Sequence, residues 1–415
     1  GMLAMSHQAP GEVGKVPQSP GYLAALLVCL VVLSGTQLAT PLYPSWKMSL
    51  GLSNTDITLI YCAYPIAVTA ALPFGGLLSD QLGRKPMIFT GISLAALSSL
   101  IFFLADNIGH LLAGRVFCGL AIGLFSGATV TAIIELHPSG DKGKASRLAA
   151  MAHLTSPAIG LVLVSTYATF APPEDAVRIP FAVLTGILVA ASGLLLLFQE
   201  TLGSEFRRTL RSVKLNGIVP RLPRNFRGAF LLGASTGLLS VANASLWLSL
   251  GPLLVLQIQP EATHMVVGMV VVIFFSIASA VQLIARSFHY TYLIFACAFL
   301  LIPALGLVNL TLYSAELVTF FLGLGLAGAS QGLGWAGSTE LASKISPPNK
   351  AASVISAHFL ISYFGSTIPV MFTGLLSDRI GLISAIQGIS AAFVVASLII
   401  SLAAMSIIKK GRMPA

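Results

Sequence analysis

Gly76-Leu77-Leu78-Ser79-Asp80-Gln81-Leu82-Gly83-Arg84-Lys85 places an acid, a turn glycine and two bases in the short link between two strongly apolar segments. The segments on either side, residues 55–78 and 86–105, are each long enough to cross a membrane. About 20 residues rising 1.5 Å apiece span a hydrocarbon core about 30 Å thick. Whether this link is a turn at a membrane surface depends on what the rest of the chain can bury.

The 415 residues are 56% hydrophobic and only 9% charged, with a mean hydropathy of +0.90. A soluble surface needs about 25–35% charged residues, so most of this chain faces lipid or other helices. Gly1-Met2 reads as the remnant of a cleaved tag, and residues 1–20, rich in Pro and Gly and without periodicity, read as a disordered tail. The first apolar run, Tyr22 to Pro41, exceeds a signal-peptide core, and Thr40-Pro41-Leu42-Tyr43-Pro44 is a poor cleavage site, so it is kept as helix 1. Cys29, Cys62, Cys118 and Cys297 all lie inside apolar runs without paired spacing. That argues against a disulfide framework or a zinc site and for small buried hydrophobes. No cofactor is expected.

Spans fall at about 21–44, 55–78, 86–105, 110–136, 147–170, 179–199, 227–256, 263–285, 290–310, 315–341, 350–376 and 382–407, which makes twelve helices. With the N-terminus inside, nineteen of the 23 Lys and Arg residues fall in cytoplasmic segments. Only Lys47, Arg178 and Arg379 lie outside, and Arg115 lies within a span. The positive-inside rule then places both termini in the cytoplasm and predicts a multi-pass protein of the inner (plasma) membrane. The same distribution explains the net charge of +9 without nucleic acid. Its bases flank the membrane, so anionic lipid headgroups are the expected partners. Seven bases crowd the stretch from Thr201 to Arg227, together with Pro220 and Pro223, which reads as a hinge cord on the inner leaflet.

This cord divides six helices from six. A shift of 205 residues without gaps superposes Gly123 on Gly328, Gly127 on Gly332, Glu135 on Glu340, Leu136 on Leu341, Ala152 on Ala357, His153 on His358 and Gly160 on Gly365. Two six-helix halves related by an axis along the membrane normal leave such a trace. The expected division is a tail at 1–20, an N-terminal bundle at 21–200, a basic linker at 201–226, a C-terminal bundle at 227–408 and a tail at 409–415. Gly374-Leu375-Leu376-Ser377-Asp378 copies Gly76 to Asp80 at a different shift, 298 residues. That shift pairs an outside loop with an inside one, and the copy reads as a helix-end coincidence.

The first link resembles the signature loop of the major facilitator superfamily. Gly76, Asp80, Gly83, Arg84 and Lys85 hold the fixed positions, and Gln81 stands where that family usually carries a base. Thr40-Pro41-Leu42-Tyr43-Pro44 resembles the Pro-x-x-Pro of the family's drug:proton antiporter branch. Leu111, Arg115 and Gly119 resemble that branch's Arg-x-x-x-Gly motif, with Cys118 in place of Gln. Ser156-Pro157-Ala158-Ile159-Gly160 is a worn form of Gly-Pro-x-x-Gly-Gly. The resemblance implies an all-α integral membrane protein of twelve helices in two pseudo-symmetric six-helix bundles. It also implies that helices 1, 4, 7 and 10 line a central cavity, and that Asp80 latches helix 11 in the outward-open state.

The residues carry physical readings of their own. Asp80 at a helix end favours the positive N-terminus of a neighbouring helix, while Arg84 and Lys85 serve topology alone equally well. Arg115 sits about five residues into helix 4, a functional-site position by default unless it snorkels to the headgroups. Gly119, Gly123 and Gly127 make a close-packing seam. Glu135 with His153, and Glu340 with His358, approach the cytoplasmic helix ends, where they either exchange protons or brace the inner gate. The cavity would present Gln37, Ser126, Asn243, Trp247, Gln331, Trp335 and Ser338, whose amides, hydroxyls and indoles suit a neutral or amphipathic organic molecule.

No phosphate loop or His-Glu-x-x-His is present, so neither ATP hydrolysis nor zinc-dependent peptide hydrolysis is supported, and an enzyme is not expected. The expected function is proton-coupled efflux of a small organic compound by a monomer working by alternating access. A proton moved down 100 mV supplies about 2.3 kcal/mol. Uptake of a metabolite by symport or facilitation is the alternative, and a non-transporting sensor a more distant one.

Overall fold

The structure is a computed structural model that describes residues 20–139, 142–205, 207–214, 226–285, 287–345 and 351–411. The tail before Pro20, the Pro220 and Pro223 stretch of the linker and residues 412–415 lie outside these. All secondary structure among the described residues is helical. The spans are Pro20–Leu50, Asn54–Leu82, Arg84–Phe103, Ile108–Leu136, Lys142–Phe170, Pro173–Leu197, Arg227–Ile258, His264–Ala285, Tyr290–Ser314, Leu317–Lys344, Ala351–Ile380 in two pieces, and Leu382–Lys409. They are helices 1 to 12 in that order; among the described residues eleven are long and apolar enough to cross a membrane, and helix 5 has a shorter apolar stretch, Thr155–Phe170.

Proline accounts for the departures from straight spans. Helix 1 is regular over Pro20–Ser34, then narrows through short 3₁₀ turns at Gly35–Gln37 and Thr40–Leu42 before resuming at Tyr43–Leu50. Pro41 and Pro44 have no N–H to give, which interrupts the ladder there. Helix 11 breaks between Phe364 and Ile368, where Pro369 has no N–H to give to the preceding turn and its ring crowds the carbonyl four residues earlier. Pro65 and Pro73 lie within helix 2, Pro157 within helix 5, Pro252 within helix 7 and Pro303 within helix 9.

In lipid the helices gain nothing from leaving an apolar solvent, so close packing of small residues has to hold them together. Helix 2 lies on helix 4, where a Cβ on Gly123 would stand 2.5 Å from the Ala71 Cβ and 3.0 Å from the Val68 carbonyl oxygen. One repeat later helix 8 lies on helix 10, where a Cβ on Gly328 would stand 2.6 Å from the Phe274 carbonyl oxygen. The two halves thus use the same device at positions 205 residues apart. They meet along helices 2 and 11 and along helices 5 and 8.

Candidate functional site

One face of the molecule carries Arg84, Lys85, Arg207, Arg208, Arg211, Lys214, Arg227 and Lys344, and is here the basic face; the other is the far face. On the basic face the Gly76 to Lys85 link is tied down more firmly than its sequence indicates. Arg84 is 7% exposed and donates to the Ser79 carbonyl and to Asp80 Oδ1, each at 2.8 Å, and to Glu135 Oε1 at 3.2 Å. Glu135 also accepts from the Thr201 hydroxyl. Glu200 takes the Arg84 and Lys85 backbone N–H groups, both at 3.0 Å, capping helix 3 where its first donors have no helical partner. Gly83, with φ +110°, makes the turn between them.

Gln81 explains its own departure from a base. Its amide oxygen accepts from the Lys214 N–H and its amide nitrogen donates to the Lys214 carbonyl, each at 2.9 Å. A lysine or arginine has no acceptor and cannot make this two-way contact. Glu200, Thr201 and Lys214 escape sequence reading because they act across tertiary contacts. Asp80 pairs with Arg84 and has no hydrogen bond or ion pair to helix 11 among the described residues.

Behind this network lies a cavity of about 580 Å³ at the basic-face ends of the helices, lined by His153 of helix 5, Gln282 and Ala285 of helix 8, Leu293 of helix 9, and Trp335, Thr339, Glu340 and Ser343 of helix 10. It lies between the halves. Trp335 stacks on Phe359 with ring centres 5.3 Å apart. Glu340 has no ion pair or hydrogen bond among the described residues, and the Thr339 hydroxyl is buried without one. His358 does not pair with Glu340: it is fully buried, with Nε2 3.5 Å from the Ser338 hydroxyl. Glu135 is spent on Arg84 and Thr201. The structure therefore regroups the sequence-derived residues, bringing Glu340, His153 and Trp335 to one cavity.

The remaining cavity candidates serve packing or stand apart. Asn243 donates to the Ala327 carbonyl at 2.8 Å and accepts from the Trp247 indole at 2.9 Å, which ties helix 7 to helix 10. Gln37 accepts from the Thr40 hydroxyl within helix 1. Ser126 and Gln331 are half-buried on helices 4 and 10. Gln37, Ser126, Asn243, Trp247, Gln331 and Ser338 do not line the basic-face cavity.

Arg115 does not snorkel. It is 1% exposed, donates to the Thr36 carbonyl at 3.0 Å and lies over the rings of Tyr64 and Tyr61 at 4.6 and 5.8 Å. The broken part of helix 1 and the tyrosines of helix 2 cover it. Its Nε and Nη2 have no partner among the described residues, and no acid neutralises it there. Tyr61 reaches the Ser245 hydroxyl of helix 7 at 3.2 Å, so this buried charge sits beneath a contact between the halves.

The far face is closed by further contacts between the halves. The Thr169 hydroxyl at the end of helix 5 accepts from the Met265 N–H, which begins helix 8, at 2.9 Å. Ser45 meets His264 Nε2 at 2.8 Å. The copied segment Gly374 to Asp378 is no coincidence of a helix end, because Asp378 accepts from the Asn54 and Thr55 N–H groups at 2.9 and 2.8 Å.

The family model described as Major Facilitator Superfamily matches residues 25–369. The quinolone resistance protein NorA of Staphylococcus aureus is 31% identical over 114 residues, 28% of this chain and 29% of that protein. Multidrug resistance protein 2 of Bacillus subtilis is 25% identical over 213 residues, 51% of this chain and 52% of that protein. These matches thus span about a third to a half of the relatives' lengths. Among solved structures, a bacterial homologue of the human lysosomal transporter Spinster in an inward-facing, unoccupied conformation superposes with a TM-score of 0.75 at 12% identity, over 97% of this chain and all of that one. A D-xylose-proton symporter does so with a TM-score of 0.73 at 16% identity, over 93% and 96%. At such identities these likenesses show the fold alone.

Proposed function

We propose, from the premise that this chain belongs to the Major Facilitator Superfamily and is therefore a transporter and not an enzyme, that it exports a small amphipathic organic compound in exchange for protons. The observation that carries this reading is the cavity that Trp335, Glu340 and His153 line together. The positive-inside rule assigns the basic face to the cytoplasm, so cargo enters that cavity from within the cell while the far face is shut. The Trp335 indole offers an apolar plane, and Gln282, Thr339 and Ser343 offer a few polar groups, the usual make-up of a small-molecule site.

Glu340 supplies the coupling. It is the one acid among the described residues that line the cavity, so a proton and the hydrogen-bond donors of bound cargo compete for the same carboxylate. Cargo and proton therefore exclude each other at Glu340, and one leaves as the other binds. His153, across the cavity from the other half, carries the proton between Glu340 and the cytoplasmic water. Rocking of the halves then presents the same site to the opposite side. The names of the partial relatives, quinolone resistance and multidrug resistance, support export of a drug-like compound.

Everted membrane vesicles test this. Acidifying the lumen is expected to drive accumulation of cargo from a panel of amphipathic compounds, a protonophore to collapse it, and Trp335→Ala to raise the half-saturating concentration. Accumulation indifferent to the protonophore, or driven only by an acid exterior, overturns export by antiport in favour of facilitation or symport.

A further inference from the structure

We propose that Asp378 is a latch holding the far face shut, at the opposite end of the helix 2 and helix 11 pair from Asp80. Helix 2 ends in Gly76-Leu77-Leu78-Ser79-Asp80, and helix 11 nears its end with the identical Gly374-Leu375-Leu376-Ser377-Asp378. The two helices pack side by side and run in opposite directions. Each acid therefore comes to the level at which the other helix begins. The shift of 298 residues conflicts with the repeat of 205 because it relates helix 2 to its antiparallel partner, not to its equivalent in the other half.

The contact is built as a cap. The Asp378 carboxylate accepts from the Asn54 N–H at 2.9 Å, the Thr55 N–H at 2.8 Å and the Thr55 hydroxyl at 2.5 Å. The first N–H groups of a helix have no partner within it and form the positive end of its dipole. Helix 2 has its own cap in Ser53, but that hydroxyl is engaged by the Asp56 N–H, which leaves Asn54 and Thr55 to the other half. Below the cap, a Cβ on Gly374 would stand 2.2 Å from the Thr58 hydroxyl, so only glycine lets helix 11 come this close. One turn deeper, Cys62 Sγ lies 3.6 Å from the Ser366 carbonyl.

At the basic face Asp80 has no hydrogen bond or ion pair to helix 11 among the described residues. Asp80 holds only Arg84, with its side chain 73% exposed. The far-face end of the helix pair is held by Asp378, and a two-position element needs a hold of this kind that can be made and broken. Opening the far face breaks three hydrogen bonds to one carboxylate, and bonds to a charged group are stronger than neutral ones. This inference requires only that the two faces alternate, so it stands or falls apart from export and from proton coupling.

Cys62, buried beneath the latch, is a reporter already in place. In a background of Cys29→Ala, Cys118→Ala and Cys297→Ala, purified protein is treated with a bulky maleimide. Asp378→Ala is expected to raise the alkylation rate of Cys62 by about tenfold or more, since hydrogen bonds to a charged group are lost. Asp378→Asn, whose amide oxygen still accepts, raises it less and preserves the side chain's shape. A companion background keeps only Cys297, buried within the second half, and its rate is expected to stay unchanged in both variants. An unchanged Cys62 rate in Asp378→Ala overturns the latch, and so does a parallel rise at Cys297, which marks general loosening.

Discussion

Gly75→Val is expected to remove most of the protein recoverable as a monodisperse species in detergent. A Cβ at this position would stand 2.2 Å from the Gly123 carbonyl oxygen and 3.1 Å from the Leu124 Cα, so the obstacle is backbone that cannot turn aside. Helix 2 would have to move off helix 4, losing the close approach that also holds at Gly119, where a Cβ would stand 2.4 Å from the Tyr64 carbonyl oxygen. Overpacking of a tight interior costs about 1–3 kcal/mol, occasionally more, against a total stability of about 5–15 kcal/mol for a folded domain. Helix association without a hydrophobic drive leaves little to offset such a loss. Gly306→Val is the matched comparison, because a Cβ there meets nothing within 4 Å. Its chromatographic profile and thermal midpoint are expected to follow the parent's, and equal damage from both substitutions would contradict the seam.

The second large effect concerns Arg115 and runs in two directions at once. Arg115→Met is expected to raise the unfolding temperature while lowering transport. The guanidinium is buried with one hydrogen bond, to Thr36, two unpartnered nitrogens and no acid among the described residues. An uncompensated buried charge costs several kcal/mol, and replacing buried ions by apolar side chains of similar volume stabilises by about 1–4 kcal/mol in favourable cases. Methionine keeps the length and removes the cost. Transport is expected to fall by about tenfold or more, which corresponds to about 1.4 kcal/mol of lost transition-state stabilisation. A residue that destabilises the resting protein and serves its working cycle shows this opposed pair of changes. A lowered unfolding temperature in Arg115→Met would make Arg115 a structural brace.

The twelve spans were legible because a run of about 20 apolar residues has few other uses. The breaks in helices 1 and 11 were not, since Pro41 and Pro369 lie inside runs whose hydropathy continues through them. At the site, Trp335, Glu340 and His153 were each legible as unusual residues in apolar surroundings. Their meeting was not, because helical spacing does not say which neighbour a given face meets. Asn243 and Trp247 looked like cavity residues for the same reason that they are packing residues: a polar group in an apolar helix must find a partner, and here it finds the Ala327 carbonyl across the interface. Glu200 gave no signal, because a helix capped by a carboxylate 115 residues away carries no local capping pattern. Asp378 gave a signal that topology made look accidental, until the antiparallel course of helices 2 and 11 reversed its meaning.

The central claim is that cargo and proton compete for Glu340, and the direct measurement is proton release on cargo binding, followed with a pH indicator in weakly buffered detergent solution. The parent protein is predicted to release protons on cargo binding, as linkage between two ligands of one group requires. Glu340→Gln is predicted to release none while still binding through Trp335 and the polar wall. Equal release by the parent and by Glu340→Gln would contradict the account and move the exchanged proton to another group.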